Sequence, residues 1–158
     1  MEVACGTGKL LPFMLGIKKP SSHYLASDIA PNMIELAKKN LKNHFDRYDS
    51  KLTFEEWCAR HNIKFDVIDA EQPLNVDNPF DRIICNCALM ITSDARKMLK
   101  NLHAHSKPGC LFGVNVWGNK HNNNLMMSIR DAILESGYEL PQERSNFHLY
   151  KKVPALAE

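Results

Sequence analysis

Residues 2–8 read Glu2-Val3-Ala4-Cys5-Gly6-Thr7-Gly8, and this stretch decides the fold. The apolar residues before Gly6 predict a short strand, and apolar residues at helical spacing resume directly after Gly8. The two glycines let the backbone turn sharply and approach a ligand, while the start of the next helix offers N–H groups to an anionic group. The stretch predicts a strand, a ligand-binding turn and a helix.

An acidic residue, Asp28, follows the next predicted strand, 20 residues after Gly8. The carboxyl ends of neighbouring parallel strands lie at one edge of a sheet, so we expect Asp28 beside the glycine turn, where it can accept two hydrogen bonds from ribose hydroxyls. Glu2 is expected to hold the turn or the ammonium group of the ligand. A dinucleotide site would require a third glycine where Leu11 stands, so an oxidoreductase is disfavoured.

The rest of the chain alternates between strand-like and helix-like patterns. This alternation predicts a doubly wound α/β fold with a mostly parallel sheet of six or seven strands. The expected strands are residues 1–5, 23–27, 63–68, 82–87, 110–117 and 147–150, with 138–140 as a weaker seventh.

Local signals predict the starts of three helices. Pro31 suits a first helical position. Thr53 and Glu56 have the spacing of a capping box, and Ser93 is expected to cap a later helix. The helix after Pro31 is expected to bury one apolar stripe formed by Met33, Leu36, Ala37 and Leu41.

Length and charge limit the classes of protein that this chain can represent. We expect one domain over residues 1–152 and a flexible tail over 153–158. Twenty Lys and Arg are interspersed with 18 Asp and Glu, so no nucleic-acid partner is expected. No apolar run approaches the ~20 residues of a membrane span. Together with the absence of a signal-peptide pattern, this predicts a cytoplasmic or other intracellular protein.

The five cysteines form no C-x-x-C pair, and their number is odd. This pattern predicts reduced core thiols, with neither a disulfide framework nor a metal site.

As a set, four blocks resemble the class I S-adenosylmethionine-dependent methyltransferases, especially the branch of ubiquinone and menaquinone biosynthesis. They are residues 2–8, 25–37 (LASDIAPNMIELA), 68–74 (IDAEQPL) and 80–91 (FDRIICNCALMI), and the segment 102–117 is similar too. The resemblance covers most of residues 1–117. It implies a Rossmann-like methyltransferase fold, S-adenosylmethionine as cofactor and a small-molecule acceptor.

The resemblance also assigns parts of the cofactor to residues. Glycines 6 and 8 would face the methionine portion and Asp28 the ribose. Ile29 and Met33 would flank adenine, although Met33 fits a core position equally well. Asp69, which also suits a turn, would meet the adenine with Ala70, and Asn86 would lie beneath the amino group. The full predicted cofactor set is Glu2, Ala4, Gly6, Gly8, Asp28, Ile29, Met33, Asp69, Ala70 and Asn86.

No catalytic residue is assigned, because methyl transfer is an in-line displacement that chiefly requires alignment of the acceptor and exclusion of water. His121 could approach the pocket but fits a solvated loop better. Leu89, Met90 and Trp117 fit either an apolar acceptor site or the core.

The resemblance begins inside the first motif, so the fold is expected to be truncated at its N-terminal side. Two interpretations remain open. The first is an active methyltransferase that acts on a small-molecule or lipid-like acceptor. The second is a catalytically inactive, methyltransferase-like subunit that serves as an interaction module. In either case another copy or a partner subunit could cover the truncated side.

Overall fold

A computed structural model describes residues 1–45, 51–117 and 124–139. These residues contain five strands: β1 (Glu2–Val3), β2 (Tyr24–Asp28), β3 (Ile63–Val67), β4 (Phe80–Asn86) and β5 (Ser106–Asn115). They also contain five helices: α1 (Leu11–Ile17), α2 (Pro31–Phe45), α3 (Phe54–Arg60), α4 (Ala95–Ala104) and α5 (Asn124–Glu135).

The strands form one parallel sheet in the order β3-β2-β1-β4-β5. Strand β1 is central, with Glu2 opposite Ala26 of β2 and Ile84 of β4. The connection from β3 to β4 crosses to the other side of β1, so the strand order reverses there. In doubly wound sheets, ligands bind at the carboxyl ends of the strands at such a reversal.

The predicted doubly wound α/β fold is confirmed, but the described sheet is smaller than expected, with five strands. Residues 138 and 139 of the weak seventh strand are not in a strand. The expected strand 147–150, His121 and the expected tail 153–158 lie outside the described residues.

The sheet separates two apolar clusters. One joins Leu11, Ala26 and Leu41 on the face that carries α1, α2 and α3. The other joins Val3 and Met98 on the face that carries α4. Each fully buried leucine or methionine stabilises the fold by roughly 1.5–3 kcal/mol relative to an exposed one, so the central strand is held from both sides.

Helix α2 begins at Pro31, as predicted, but its buried stripe differs from the expected one. Leu36 is 40% exposed, and Met33 is only partly buried. The inner face is instead centred on Ala37, because the glycine turn packs against that residue. The buried stripe is Ile34, Ala37, Leu41 and Phe45.

The predicted capping box of α3 is confirmed, since Glu56 N–H donates to Thr53 Oγ1 and the Glu56 carboxylate accepts from Thr53 N–H. The predicted cap of α4 is wrong by one residue. Asp94 is the cap, and its carboxylate accepts from Lys97 N–H at 2.9 Å. Ser93 instead donates its N–H to Glu71, a partner from a distant loop.

Candidate functional site

A cleft of about 630 Å³ opens at the carboxyl ends of β1, β2 and β4, where the strand order reverses. Pockets for small ligands and cofactors commonly have volumes of about 300–1,000 Å³. The cleft is lined by all the predicted cofactor residues except Gly8, namely Glu2, Ala4, Gly6, Asp28, Ile29, Met33, Asp69, Ala70 and Asn86. Residues from four separate stretches of sequence therefore meet at one site.

Asp28 and the glycine turn are joined directly. Asp28 Oδ2 accepts the N–H of Gly6 at 2.8 Å, and its Oδ1 accepts the N–H of Ala30 at 3.0 Å. Gly6 has φ +54°, a conformation that residues with a Cβ adopt at a cost. Because each carboxylate oxygen has two lone pairs, Asp28 can hold the turn and still accept hydrogen bonds from a ligand.

Gly8 packs against helix α2 and does not line the cleft. A Cβ added at Gly8 would lie 2.9 Å from the Cβ of Ala37, and the residue has φ +71°. Its carbonyl accepts the N–H of Leu11 at 3.3 Å. Gly8 therefore lets helix α2 approach the turn closely. Gly8 does not line the cleft, and its assignment to the methionine portion of the cofactor stays a prediction.

Glu2 is a buried acid in the floor of the cleft, 2% exposed. Its Oε2 accepts the hydroxyl hydrogen of Tyr24 at 2.6 Å. Burial raises the pKa of Glu2, and the hydrogen bond from Tyr24 opposes that rise. Burial, and after it the negative charge of Glu2, raises the pKa of Tyr24. The phenol therefore stays protonated and remains a hydrogen-bond donor.

The loop after β3 is bound to α4 and to the residues just before it by two side chains. The Glu71 carboxylate accepts the N–H groups of Ser93 at 2.7 Å and Asp94 at 3.1 Å. Asn101 donates its side-chain N–H₂ to the carbonyls of Ala70 at 3.0 Å and Gln72 at 2.9 Å. This loop carries Asp69, whose Oδ1 accepts the N–H of Glu71 in a local turn, so the turn interpretation of Asp69 is observed.

The end of β4 is fixed in a similar way. Asn86 pairs in register with Asn115 of β5, and the next residue, Cys87, donates its N–H to the Asn115 carbonyl at 3.0 Å. Cys87 has φ +55°, and Ala4 at the end of β1 has φ +53°. Left-handed conformations of such residues cost roughly 1–3 kcal/mol each and occur often at binding sites. Both residues line the cleft.

Sequence reasoning missed several residues of the cleft. Thr7, Lys9, Glu71, Cys87 and the segment 91–93 also line it. Thr7 and Cys87 each follow the end of a strand, and this position could have predicted them as cleft residues. Glu71 and residues 91–93 line the cleft because of contacts between segments that are distant in sequence. Cys5 also lines the cleft, but burial, followed by the charges of nearby carboxylates, raises its pKa to about 12. The thiolate form is therefore negligible at neutral pH.

Two of the apolar residues considered for the acceptor site, Leu89 and Met90, are buried at 5% and 7% exposure. Leu89 belongs to the core cluster on the α4 face, and neither residue lines the cleft. The core interpretation therefore applies to both.

A family model described as a methyltransferase domain matches residues 1–112. The chain belongs to this methyltransferase family. The resemblance to class I S-adenosylmethionine-dependent methyltransferases is thereby confirmed, with S-adenosylmethionine as the cofactor of the family. The finer resemblance to the ubiquinone and menaquinone branch stays a prediction. No curated protein matches the chain significantly.

Solved structures similar to this methyltransferase domain support the same fold. An S-adenosylmethionine-dependent methyltransferase from Clostridium acetobutylicum is 22% identical, with a TM-score of 0.55, over 73% of this chain and 41% of that one. The glycopeptide N-methyltransferase MtfA, complexed with S-adenosylmethionine, is 16% identical, with a TM-score of 0.54, over 72% and 41%. The [4+2]-cyclase SpnF is 18% identical, with a TM-score of 0.59, over 75% and 38%.

The methyltransferase domain thus spans about two fifths of the length of these structures. Across residues 1–45, 51–117 and 124–139, no helix has both the length and the apolar character needed to cross a bilayer.

Proposed function

We propose that this chain binds S-adenosylmethionine in the cleft and transfers its methyl group to a small-molecule or lipid-like acceptor. The observation that carries the proposal is the bond of 2.8 Å between Asp28 Oδ2 and the N–H of Gly6, at the carboxyl ends of two adjacent strands. It joins the acidic group suited to ribose with the turn suited to close approach of a ligand. The family membership supplies the identity of the ligand.

Each part of the cofactor has a proposed group in the cleft. Asp28 accepts the ribose hydroxyls, and Gly6 lets the backbone lie close to the methionine portion. Ile29, which is 62% exposed at the rim of the cleft, gives adenine an apolar contact. The hydrogen-bonded loop at Asp69 and Ala70 lies against the adenine edge, and Asn86 lies under the amino group.

Bound S-adenosylmethionine supplies an electrophilic methyl group on a cationic sulfonium. A lone pair of the acceptor would form the new bond to the methyl carbon as the carbon–sulfur bond breaks, and the electron pair would remain on sulfur in the neutral thioether product. The acceptor atom gives up a proton where it carries one. The contribution of this chain is to align the cofactor and to exclude water from the cleft.

Isothermal titration calorimetry of the purified chain tests the first step. We expect 1:1 binding of S-adenosylmethionine and of S-adenosylhomocysteine, the product thioether, and no binding of NAD at the same concentrations. Absence of heat with both adenosyl ligands, from protein whose circular dichroism shows folded helix and sheet, would reject the proposal. Binding of NAD in their place would restore the dinucleotide interpretation.

A second candidate function, the interaction module, is favoured by the exposed apolar side chains of β5, which lies at the edge of the sheet formed by the described residues. Leu111 is 61% exposed, Val114 43% and Phe112 37%. Exposed apolar patches on edge strands promote association. Sedimentation equilibrium of the wild-type chain and of Leu111→Lys tests this candidate. A concentration-dependent oligomer that the substitution dissociates would support it, and a monomer with methyl-transfer activity would reject it.

A further inference from the structure

Tyr24 and Glu2 form a buried pair that the functional assignment leaves unexplained. Tyr24 begins β2 and is 7% exposed. Glu2 of β1 lies opposite Ala26 of β2, so their side chains project from the same face of the sheet. Tyr24 is two residues before Ala26 on β2, so its side chain projects from that face too. Its hydroxyl donates to Glu2 Oε2 at 2.6 Å, the length of a strong hydrogen bond to a charged acceptor.

The other oxygen of Glu2 faces a different environment. Glu2 Oε1 makes no hydrogen bond within the described part of the chain, whereas every fully buried side-chain oxygen there has a partner. Oε1 is therefore not fully buried, and Glu2 lines the cleft. The main chain of Glu2 is also held, because Ser27 Oγ donates to its carbonyl at 3.2 Å. One carboxylate oxygen of Glu2 is thus held by Tyr24, and the other has no protein partner among the described residues and can accept a hydrogen bond.

We propose that Tyr24 is a positioning residue that fixes the Glu2 carboxylate toward the ammonium group of the cofactor, so that the cleft selects adenosine thioethers with an amino-acid portion over those without it. This proposal rests on the proposed function, since it requires an adenosyl ligand in the cleft. The charge of Glu2 carries the selection, because a carboxylate attracts an ammonium group more strongly than a neutral acid does. A phenol that donates to Oε2 stabilises this charged form.

The test compares two ligands and three proteins by calorimetry. S-adenosylhomocysteine carries the ammonium group, and 5′-deoxy-5′-methylthioadenosine lacks the whole amino-acid portion. Tyr24→Phe keeps the ring and removes only the hydroxyl. The matched control is Tyr138→Phe, which removes a hydroxyl from a tyrosine that is 71% exposed. We expect Tyr24→Phe to weaken S-adenosylhomocysteine about ten-fold while methylthioadenosine changes by less than about two-fold, and the control to change neither.

Failure of the proposed function and failure of the positioning role of Tyr24 give different results. If the wild type binds neither ligand, the proposed function is wrong. If the wild type binds both and Tyr24→Phe weakens both equally, or neither, the positioning role is wrong. If Tyr24→Phe does not fold, Tyr24→Met replaces it, because methionine also fills an apolar position and has no hydroxyl to donate to Glu2. The proposal is supported if the variant loses affinity for S-adenosylhomocysteine but not for methylthioadenosine. It is overturned if the fold-change relative to wild type is the same for both ligands.

Discussion

Replacing Asp28 with asparagine tests the contact between Asp28 and the glycine turn, on which the proposed cofactor site depends. Each oxygen of Asp28 now accepts one backbone N–H, from Gly6 and from Ala30. An amide has one oxygen, so one of these donors must face an N–H₂ group whichever way the side chain turns. Both donors are partly buried, so leaving one of them unsatisfied costs about 1 kcal/mol, which lowers the melting temperature of a domain of this size by about 2–4 °C.

The effect of Asp28→Asn on ligand binding follows from the same geometry. The carboxylate offers a free lone pair on each of two oxygens to the ribose hydroxyls, and the amide offers an oxygen on one side only. Loss of one hydrogen bond to a charged acceptor is worth about 1.5–3 kcal/mol, or roughly 10- to 100-fold in affinity. S-adenosylhomocysteine should weaken by this factor. Its 2′,3′-dideoxy analogue, which has no ribose hydroxyls, should bind the variant almost as well as it binds the wild type.

Calorimetry with both ligands and thermal unfolding without ligand provide the measurements. Asp66→Asn is the matched control, because Asp66 on β3 also accepts a backbone N–H, from Val67 at 2.8 Å, but is exposed and outside the cleft. If Asp28→Asn lost affinity for both ligands equally, the ribose assignment would be refuted. An unchanged affinity for S-adenosylhomocysteine would refute it as well.

Three further predictions concern the frame of the cleft. Gly8→Ala should lower the free energy of unfolding in urea by about 1–3 kcal/mol, because the added Cβ would lie 2.9 Å from Ala37 of α2 and the residue is in a left-handed conformation. The control is Gly16→Ala, which should be neutral or stabilising, because Gly16 lies in α1 and an added Cβ there would contact nothing. Glu71→Gln should speed hydrogen exchange of the amides at the start of α4, since only one of its two acceptor oxygens remains. If these amides exchanged equally slowly in the wild type and in the variant, Glu71 would not be what protects them. Burial raises the pKa of Glu2, so stability should fall as pH rises from the ordinary glutamate pKa through the raised value. Because Tyr24→Phe removes the hydrogen bond that lowers the pKa of Glu2, the fall should extend to higher pH in the variant. The stability deficit of the variant in urea unfolding should therefore be smaller in acid than at neutral pH, and an equal deficit at all pH values would contradict this prediction.

The parts of the fold that were predictable are those that local sequence determines. Pro31 begins α2, and Thr53 and Glu56 cap α3, because each signal acts within one helical turn. Gly6 and Asp28 meet because the carboxyl ends of adjacent parallel strands share an edge. These expectations required only residue type, spacing and the rules of parallel sheets.

The remaining features depend on contacts between distant parts of the chain. Glu71 accepts the backbone N–H groups of Ser93 and Asp94 at the start of α4, more than 20 residues away, and Asp94 is the cap in place of Ser93. The buried stripe of α2 includes Ile34 instead of Leu36. Both sets have helical spacing, so periodicity alone does not choose between them, whereas the packing of Gly8 against Ala37 fixes the face that is buried. Residue type and spacing in one segment cannot specify which segment will pack against it.

The walls of the cleft are joined by hydrogen bonds between groups of the protein itself. Asn40 of α2 donates to the Thr7 carbonyl at 2.8 Å, Glu71 accepts from two amides of the opposite wall, and Tyr24 orients Glu2. Left-handed residues at the ends of β1 and β4 store local strain that these ties must balance. A ligand that enters such a site meets groups that are already oriented, so little binding free energy is lost in ordering them. Substitutions that cut these ties should therefore weaken cofactor binding even where the substituted side chain does not touch the cofactor.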